Sequence, residues 1–313
     1  FYKKLAERKV KCELCPRFCT IADGAKGFCG VRKNERGRLI SLVYGKAVSV
    51  AIDPIEKKPL FHFAPGTKCL SLATVGCNLR CRFCQNYDIS QLGHGIETNP
   101  ERLAAVMFRL RDQGAHNINL VSPSHYSDQL LPVLQKIVPL LGIPVVWNSN
   151  GYEKAETLRR FEGLVQVYLP DFKYFDNEVA LSCSSAPRYF DHATAALLEM
   201  RRQVGTNRYD SDGIIQRGII VRHLVLPGHA DDSIRILTWL HQVFGPTLHI
   251  SIMAQYYPVY RADQLPGMNR RLTTAEYENV LEHFERLGFE QGFCQSLTSA
   301  RSDYTPDFDG SGL

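Results

Sequence analysis

Residues 69–86 read CLSLATVGCNLRCRFCQN, and this stretch decides the fold. Residues 69–74 form a short apolar, β-rich run, which predicts a buried strand. Cys77, Cys81 and Cys84 follow directly with the spacing C-x3-C-x2-C. Chemistry in (β/α) folds is carried on the loops after the strands. The stretch therefore predicts a strand that delivers three thiols to one edge of a sheet.

After this strand, short apolar runs alternate with amphipathic segments. The predicted strands are 69–74, 117–122, 144–148, 164–169, 218–226 and 248–254, and the predicted helices are 99–113, 127–141, 153–162, 190–204, 231–243 and 273–287. Asn99 can cap a helix that begins at Pro100, and Thr273 with Glu276 forms a capping box ahead of Gly288. Six βα units predict an α/β fold, a full or partial TIM-like (β/α) barrel over residues 69–313.

Residues 1–68 are predicted to form a small Cys-rich extension. Residues 39–44 and 47–52 flank Gly45-Lys46, which predicts a β-hairpin. The extension holds 15 Lys/Arg against 6 Asp/Glu, a charge of +9, so the remaining 245 residues carry −4 of the total of +5. Such a basic surface suits an acidic protein, a nucleic acid or a flavodoxin-like electron donor; a merely solvated surface is the alternative.

Composition predicts a cytoplasmic protein with no membrane partner. No apolar run approaches the roughly 18 residues of a membrane span, and the sequence from Phe1 lacks the apolar region of a signal peptide. Seven of the ten cysteines fall in two tight groups. In such a chain, clustered thiolates indicate metal binding rather than disulfides. The isolated Cys69, Cys183 and Cys294 are expected to be buried structural thiols.

The first group favours an iron–sulfur cluster. Three close thiolates can hold three irons of a [4Fe–4S] cubane and leave the fourth iron open to a ligand. Phe83 is placed to shield such a cluster or to pack on a nucleobase. The alternative is a zinc loop with a fourth ligand elsewhere, but zinc ribbons favour paired C-x2-C knuckles.

Cys77-x3-Cys81-x-Phe83-Cys84 resembles the hallmark of the radical S-adenosylmethionine (radical SAM) superfamily. The surrounding residues are similar to those of the pyruvate formate-lyase activating enzymes, and "PIEKKPLFHFAPG" (54–66) with "TVGCN" resembles the radical proteins of the AmmeMemoRadiSam group. The resemblance implies a [4Fe–4S] cluster that binds S-adenosylmethionine. One electron, from a flavodoxin- or ferredoxin-type donor, would release a 5′-deoxyadenosyl radical that abstracts hydrogen from a substrate. An activase substrate is a protein, attacked for example at a glycine Cα.

The resemblance also implies which residues hold S-adenosylmethionine. Ser122 and Ser124 stand where activases have a Gly-Gly-Glu segment for the methionine amino group. Asn148, Ser149 and Asn150 resemble the activase D-T-N-G segment, which contacts the cofactor and helps to hold a monovalent cation. Asn148 replaces the usual Asp of that segment, and a helix N-cap with a turn is the alternative.

Later strands supply the remaining candidates. Asp171 and Lys173 resemble the activase D-L-K segment, whose Lys pairs with the methionine carboxylate; their spacing places both on one strand face, and a surface ion pair is the alternative. Arg222 matches the activase strand Arg near the cofactor. Tyr256 stands about where activases have a ribose-contacting His, with a buried structural Tyr as the alternative.

Cys12, Cys15, Cys19 and Cys29 supply four thiolates within eighteen residues. Four ligands saturate either a zinc ion or a second cubane. Spacing does not distinguish zinc from iron–sulfur, and four unligated cysteines are the other alternative. We expect a structural rather than a redox role for this second site.

Two other functions remain open at this point. The same radical chemistry can modify a small molecule, or modify a peptide or protein in another way, because substrate contacts lie in variable loops. A zinc protein that binds nucleic acid is a more remote alternative. The sequence has no interleaved stripe of aromatic and basic residues and no recognition-helix signature, so no nucleic-acid partner is expected.

Overall fold

A computed structural model describes residues 1–43, 46–54, 68–93, 96–97 and 100–300. The strands are β1 (Tyr2–Lys4), β2 (Val10–Cys12), β3 (Thr20–Ile21), β4 (Arg32–Glu35), β5 (Arg38–Ser41), β6 (Lys46–Pro54), β7 (Lys68–Thr74), β8 (Ile96–Glu97), β9 (Ile118–Val121), β10 (Val145–Ser149), β11 (Val167–Pro170), β12 (Arg208–Tyr209), β13 (Ile215–Leu224), β14 (His249–Met253) and β15 (Gly292–Cys294). The helices are α1 (Pro100–Asp112), α2 (Ser127–Leu141), α3 (Ala155–Arg159), α4 (Asn177–Ser184), α5 (Tyr189–Val204), α6 (Ala230–Phe244) and α7 (Thr274–Leu287).

The large sheet confirms the α/β prediction. Strands β7, β9, β10, β11, β13, β14 and β15 pair in that order, and every pair is parallel. Beyond β7 the sheet ends with β6 and β8, which are antiparallel. In the described residues the two ends do not pair with each other, so the barrel is partial. All six predicted strands are present, and β15 is a seventh that the sequence analysis missed.

The predicted hairpin between residues 39–44 and 47–52 is wrong. β5 pairs with β4, and β6 pairs with β7 and β8. β7 pairs with β6 along nearly the whole length of β6, whereas β5, the hairpin partner, has only four residues. The predicted division of the chain at residue 68 stays a prediction.

Helix boundaries follow local chemistry where it is strong. The capping box of Thr273 and Glu276 is present, and Gly288 ends α7 with a φ of 73°. The proposed cap at Asn99 lies outside the described residues. Helix α4 was not predicted, and the helix expected over 153–162 is only the short α3. None of the helices in the described ranges is long and apolar enough to cross a bilayer.

Alternate residues on the strands face two different cores. Trp147 and Tyr168 belong to the main core, which also contains the buried faces of the helices. Their neighbours Val146 and Leu169 belong to a separate cluster on the opposite face, inside the partial barrel. Because side chains alternate along a strand, the polar residues that continue this inner face lie at the carboxyl ends of the strands.

Two of the isolated cysteines differ in burial. Cys183 is buried, as predicted. Cys294 is exposed, so the prediction is wrong there. β15 is the edge strand of the sheet, and among the described residues no strand lies beyond it. The side chain of Cys69 lies outside the described ones.

Candidate active site

The three predicted cluster cysteines follow β7 and lie at the carboxyl edge of the parallel strands. Cys77 Sγ accepts hydrogen bonds from Leu79 N and Asn150 Nδ2, both at 3.4 Å. Ser184 Oγ donates to Cys81 Sγ at 2.9 Å. These donors would stabilise thiolates, since hydrogen bonds to the charged form favour it.

Burial dominates the ionisation of these thiols. It raises the pKa of Cys77 to about 12 and that of Cys84 to about 11, with the neighbouring Cys81 adding to both. Each thiol alone is therefore protonated at neutral pH, and metal binding must release the protons. Among the described residues no three Cys, His, Asp or Glu side chains surround a position for one metal ion.

A second feature beside the thiols is a polar cluster on the inner face of the barrel, which we call the charged cluster: Asn148, Asp171, Lys173 and Arg222. Asp171 pairs with Lys173 Nζ and with Arg222 Nη2, each at 2.7 Å, and Arg222 Nη2 also donates to Asn148 Oδ1 at 2.7 Å. Lys173 also lies near enough to Cys81 to stabilise its thiolate.

The charged cluster has an excess of positive charge. Burial opposes the charged form of Asp171, but Arg222 and Lys173 outweigh it and hold the pKa of Asp171 below its usual value. Burial likewise opposes the charge of Lys173, whose pKa is nevertheless raised by Asp171. One carboxylate thus faces two cations, and a ligand carboxylate is complementary to the remaining charge.

Phe83 and Tyr256 are packed together rather than left open. Both are buried, and their ring centroids are 5.6 Å apart. Tyr256 OH donates to Met268 O at 2.7 Å. A structural Tyr would make this contact, and a contact of Tyr256 with S-adenosylmethionine stays a prediction. Phe83, between Cys81 and Cys84, thus packs the cysteine loop against the segment that follows β14.

Two of the predicted serines join the charged cluster through their backbones: Ser122 N donates to Asn148 O and Asp171 N donates to Ser149 O, each at 2.8 Å. Ser124 Oγ donates to Glu153 Oε1 at 2.6 Å, and Ser149 Oγ accepts from Gly151 N at 3.3 Å. Ser122 has a left-handed backbone with a φ of 51°. Asn148 Oδ1 accepts a hydrogen bond from Arg222. Contacts of these residues with S-adenosylmethionine, and a cation near Asn148, stay predictions.

Several residues that hold the site together were missed. Tyr189 OH donates to Asn150 O at 2.9 Å and accepts from Lys173 N at 3.0 Å, so it joins two predicted segments. Asn78 accepts from Asn150 at 2.8 Å and donates to Tyr152 O at 2.7 Å. Asn78 directly follows Cys77, and this adjacency was a usable signal. Tyr189 lies on α5, where sequence pattern shows only a core position.

Three thiols on the loop after the first parallel strand, beside a charged cluster at the strand ends of a partial (β/α) barrel, are the arrangement typical of an iron–sulfur enzyme. Residues 71–240, more than half of the chain, match the family model of the radical SAM superfamily. The chain belongs to this superfamily. The family implies a [4Fe–4S] cluster and S-adenosylmethionine; the pyruvate formate-lyase activase and AmmeMemoRadiSam assignments are finer than this match.

Two proteins of Methanocaldococcus jannaschii are similar in sequence. "Uncharacterized protein MJ0808" is 42% identical over 163 residues, 51% of this chain and 48% of that protein. "Uncharacterized protein MJ0674" is 34% identical over 224 residues, 69% of this chain and 61% of that protein. The matches thus span about half to three fifths of these relatives.

Solved structures are similar only in part. Methylornithine synthase (PylB) gives a TM-score of 0.49 at 15% identity, with 70% of this chain and 60% of that chain covered. SuiB of Streptococcus suis bound to S-adenosylmethionine gives 0.47 at 11% identity, with coverage of 72% and 49%.

Proposed function

We propose that this protein cleaves S-adenosylmethionine reductively at a [4Fe–4S] cluster on Cys77, Cys81 and Cys84, and that it abstracts hydrogen from a protein, as activases do. One observation carries the proposal. The three thiols lie beside a charged cluster that has two cations for one carboxylate. A site with three cluster ligands and a place for an amino-acid carboxylate matches the needs of S-adenosylmethionine.

The bound cluster would supply the electron that splits S-adenosylmethionine into methionine and a 5′-deoxyadenosyl radical. The protein's part is placement. Lys173 and Arg222 bind the methionine carboxylate, and Asp171 keeps both cations charged and in position. Asn150 stabilises the thiolate of Cys77 by the hydrogen bond from its Nδ2. The buried Phe83 keeps water from this side of the loop, which protects a radical from side reactions.

Two observations support a protein substrate. In the described residues the sheet is open between β15 and β8, so the barrel mouth is not closed on that side. The first 68 residues carry +9, which suits an acidic surface on a substrate protein or on a flavodoxin- or ferredoxin-type donor. These features favour an activase-like enzyme over one with an enclosed small-molecule site.

The first test is formation of 5′-deoxyadenosine by anaerobically reconstituted, reduced protein supplied with S-adenosylmethionine. We expect the wild type to form it and Cys81→Ala to lose it, because that variant lacks one of only three ligands. Cys294→Ala removes an exposed thiol and should behave as the wild type. Equal product formation by Cys81→Ala would contradict the site.

The second test concerns the substrate class. A cell extract is divided into a protein fraction and a small-molecule filtrate, and each is added to the reduced enzyme with S-adenosylmethionine. We expect the protein fraction to raise 5′-deoxyadenosine formation several-fold over the uncoupled rate, and protease treatment to abolish the rise. Stimulation by the filtrate alone would assign a small-molecule substrate instead.

A further inference from the structure

A pocket in the N-terminal region brings the other four clustered cysteines together. Cys12, Cys15, Cys19 and Cys29 all line it. Leu14, Ile21 and Phe18 complete much of the wall. This pocket is separate from the loop of Cys77, Cys81 and Cys84.

Backbone amides already point at these sulfurs. Phe28 N donates to Cys19 Sγ at 3.5 Å. The backbone amides of Leu14, Arg17 and Val31 lie close enough to the thiols of Cys12, Cys15 and Cys29, in each case two residues earlier in the chain, to favour their thiolates. The same spacing occurs at the first site, where Leu79 N donates to Cys77. Amide donors at such spacing orient cysteine sulfurs toward one centre and stabilise thiolates.

Positive charge is built into the wall of the pocket. Arg32 lines it and is only 2% exposed. Its guanidinium is fixed by Asp128 and by the carbonyl of His125, to which Nη2 donates at 2.7 Å. Arg17 also lines the pocket. Four thiolates around a metal carry net negative charge, which the buried guanidinium of Arg32 and the half-buried one of Arg17 offset.

The arrangement of the four cysteines distinguishes the two metals. All four line one pocket, but in the part of the chain that the structure describes no three of them surround a position for a single ion. A structural zinc ion draws four sulfurs to about 2.3 Å from one point, which leaves no cavity among them. A cubane is bound at four separate irons, so its cysteines surround a space. We propose that Cys12, Cys15, Cys19 and Cys29 hold a second [4Fe–4S] cluster, saturated by four thiolates.

The second centre lies against the first cysteine loop. Arg17 Nε donates to Asn78 O at 2.8 Å, and Asn78 is next to Cys77. A side chain at Gly76 would meet the carbonyl of Cys29 at 3.0 Å. A saturated cluster has no open iron, so it cannot bind S-adenosylmethionine; at this place it braces the loop and can pass electrons toward it.

The test counts iron, acid-labile sulfide and zinc per full-length chain after anaerobic purification and reconstitution. The variant Cys77→Ala/Cys81→Ala/Cys84→Ala removes the first site. We expect it to retain one cubane, with four irons and four sulfides, and to show the Mössbauer signature of a [4Fe–4S] centre. Adding Cys15→Ala should remove that iron, whereas adding Cys294→Ala should not.

Each result decides the proposal. A triple variant with no iron, or with one zinc that disappears on Cys15→Ala, overturns it. If the Cys15→Ala protein fails to fold, the iron count of the triple variant decides alone. The proposed function is tested separately. If the wild type binds one cluster and the triple variant binds no iron, the proposed function stands and this inference fails. If the wild type binds only the same four irons as the triple variant, this inference stands and the cluster site of the proposed function fails.

Discussion

Glu153, on the loop between β10 and α3, offers a quantitative test of the geometry at the carboxyl ends of the strands. It is 1% exposed, and its Oε1 accepts from Ser124 at 2.6 Å and from Trp147 Nε1 at 3.2 Å. Its Oε2 has no hydrogen-bond partner in the described part of the chain. Burial raises the pKa of Glu153 to about 7, although hydrogen bonds from Ser124, Trp147 and Ser149 oppose the rise.

The sign and size of the effect on stability follow from this shift. Between its ordinary pKa of 4.5 and about 7 the folded protein binds the proton that the unfolded chain releases, so stability falls as pH rises through this window. At 1.36 kcal/mol per pKa unit, the full loss is about 3 kcal/mol, of which about 2 kcal/mol falls between about pH 5.5 and about pH 8. Glu153→Gln keeps an acceptor for Ser124 and Trp147 and does not ionise, so its stability should lack this component.

The assay is urea unfolding of reconstituted protein under anaerobic conditions across this pH range. The quantity of interest is the difference between Glu153→Gln and wild type, because ionisation of the cysteines is common to both. We expect the difference to shift by about 2 kcal/mol in favour of the variant as pH rises. Glu156→Gln, at an exposed position on α3, should run parallel to wild type. A pH-independent difference for Glu153→Gln would refute the reasoning.

Two further predictions concern the charged cluster and its support. Gly151→Ala should lower the free energy of unfolding by more than about 2 kcal/mol, because φ is +76° and an added Cβ would overlap Asp171 O. Gly163 has a similar φ of +79° but open space around it, so Gly163→Ala should lower the free energy of unfolding by only about 1 kcal/mol. Equal losses in urea unfolding would disprove the overlap. Lys173→Gln should weaken binding of S-adenosylmethionine to the reconstituted protein roughly ten- to a hundredfold, the value of a charged hydrogen bond. Lys136→Gln, at an exposed position, should leave the affinity unchanged. Unchanged affinity in Lys173→Gln would exclude Lys173 as a ligand of the carboxylate.

The order of the sheet was predictable because its strands are local, apolar and regularly spaced. The pairing of β6 was not, since nothing within residues 46–54 says whether the partner is β5 or β7. The strand β15 was missed for a related reason: three residues at the edge of a sheet bury too little apolar surface to leave a pattern. Tertiary context decides both cases.

The same contrast between local pattern and tertiary context explains which site residues could be predicted from the sequence. Asn148, Asp171 and Arg222 lie far apart in sequence, but each stands where a parallel strand ends, and the register of the sheet brings those ends together. Tyr189 and Ser184 reach the site from helices, where no strand-end rule applies.

The charged cluster also shows what resemblance leaves out. The resemblance assigns Lys173 as the partner of the methionine carboxylate, yet in the structure Lys173 already pairs with Asp171 at 2.7 Å. Removing Asp171 would leave two buried cations, Lys173 and Arg222, to repel each other and lose their fixed positions. One fixed carboxylate holds the two cations together and leaves them one positive charge in excess. Asp171 therefore makes the site attractive to a second carboxylate because it neutralises only half of the charge it organises.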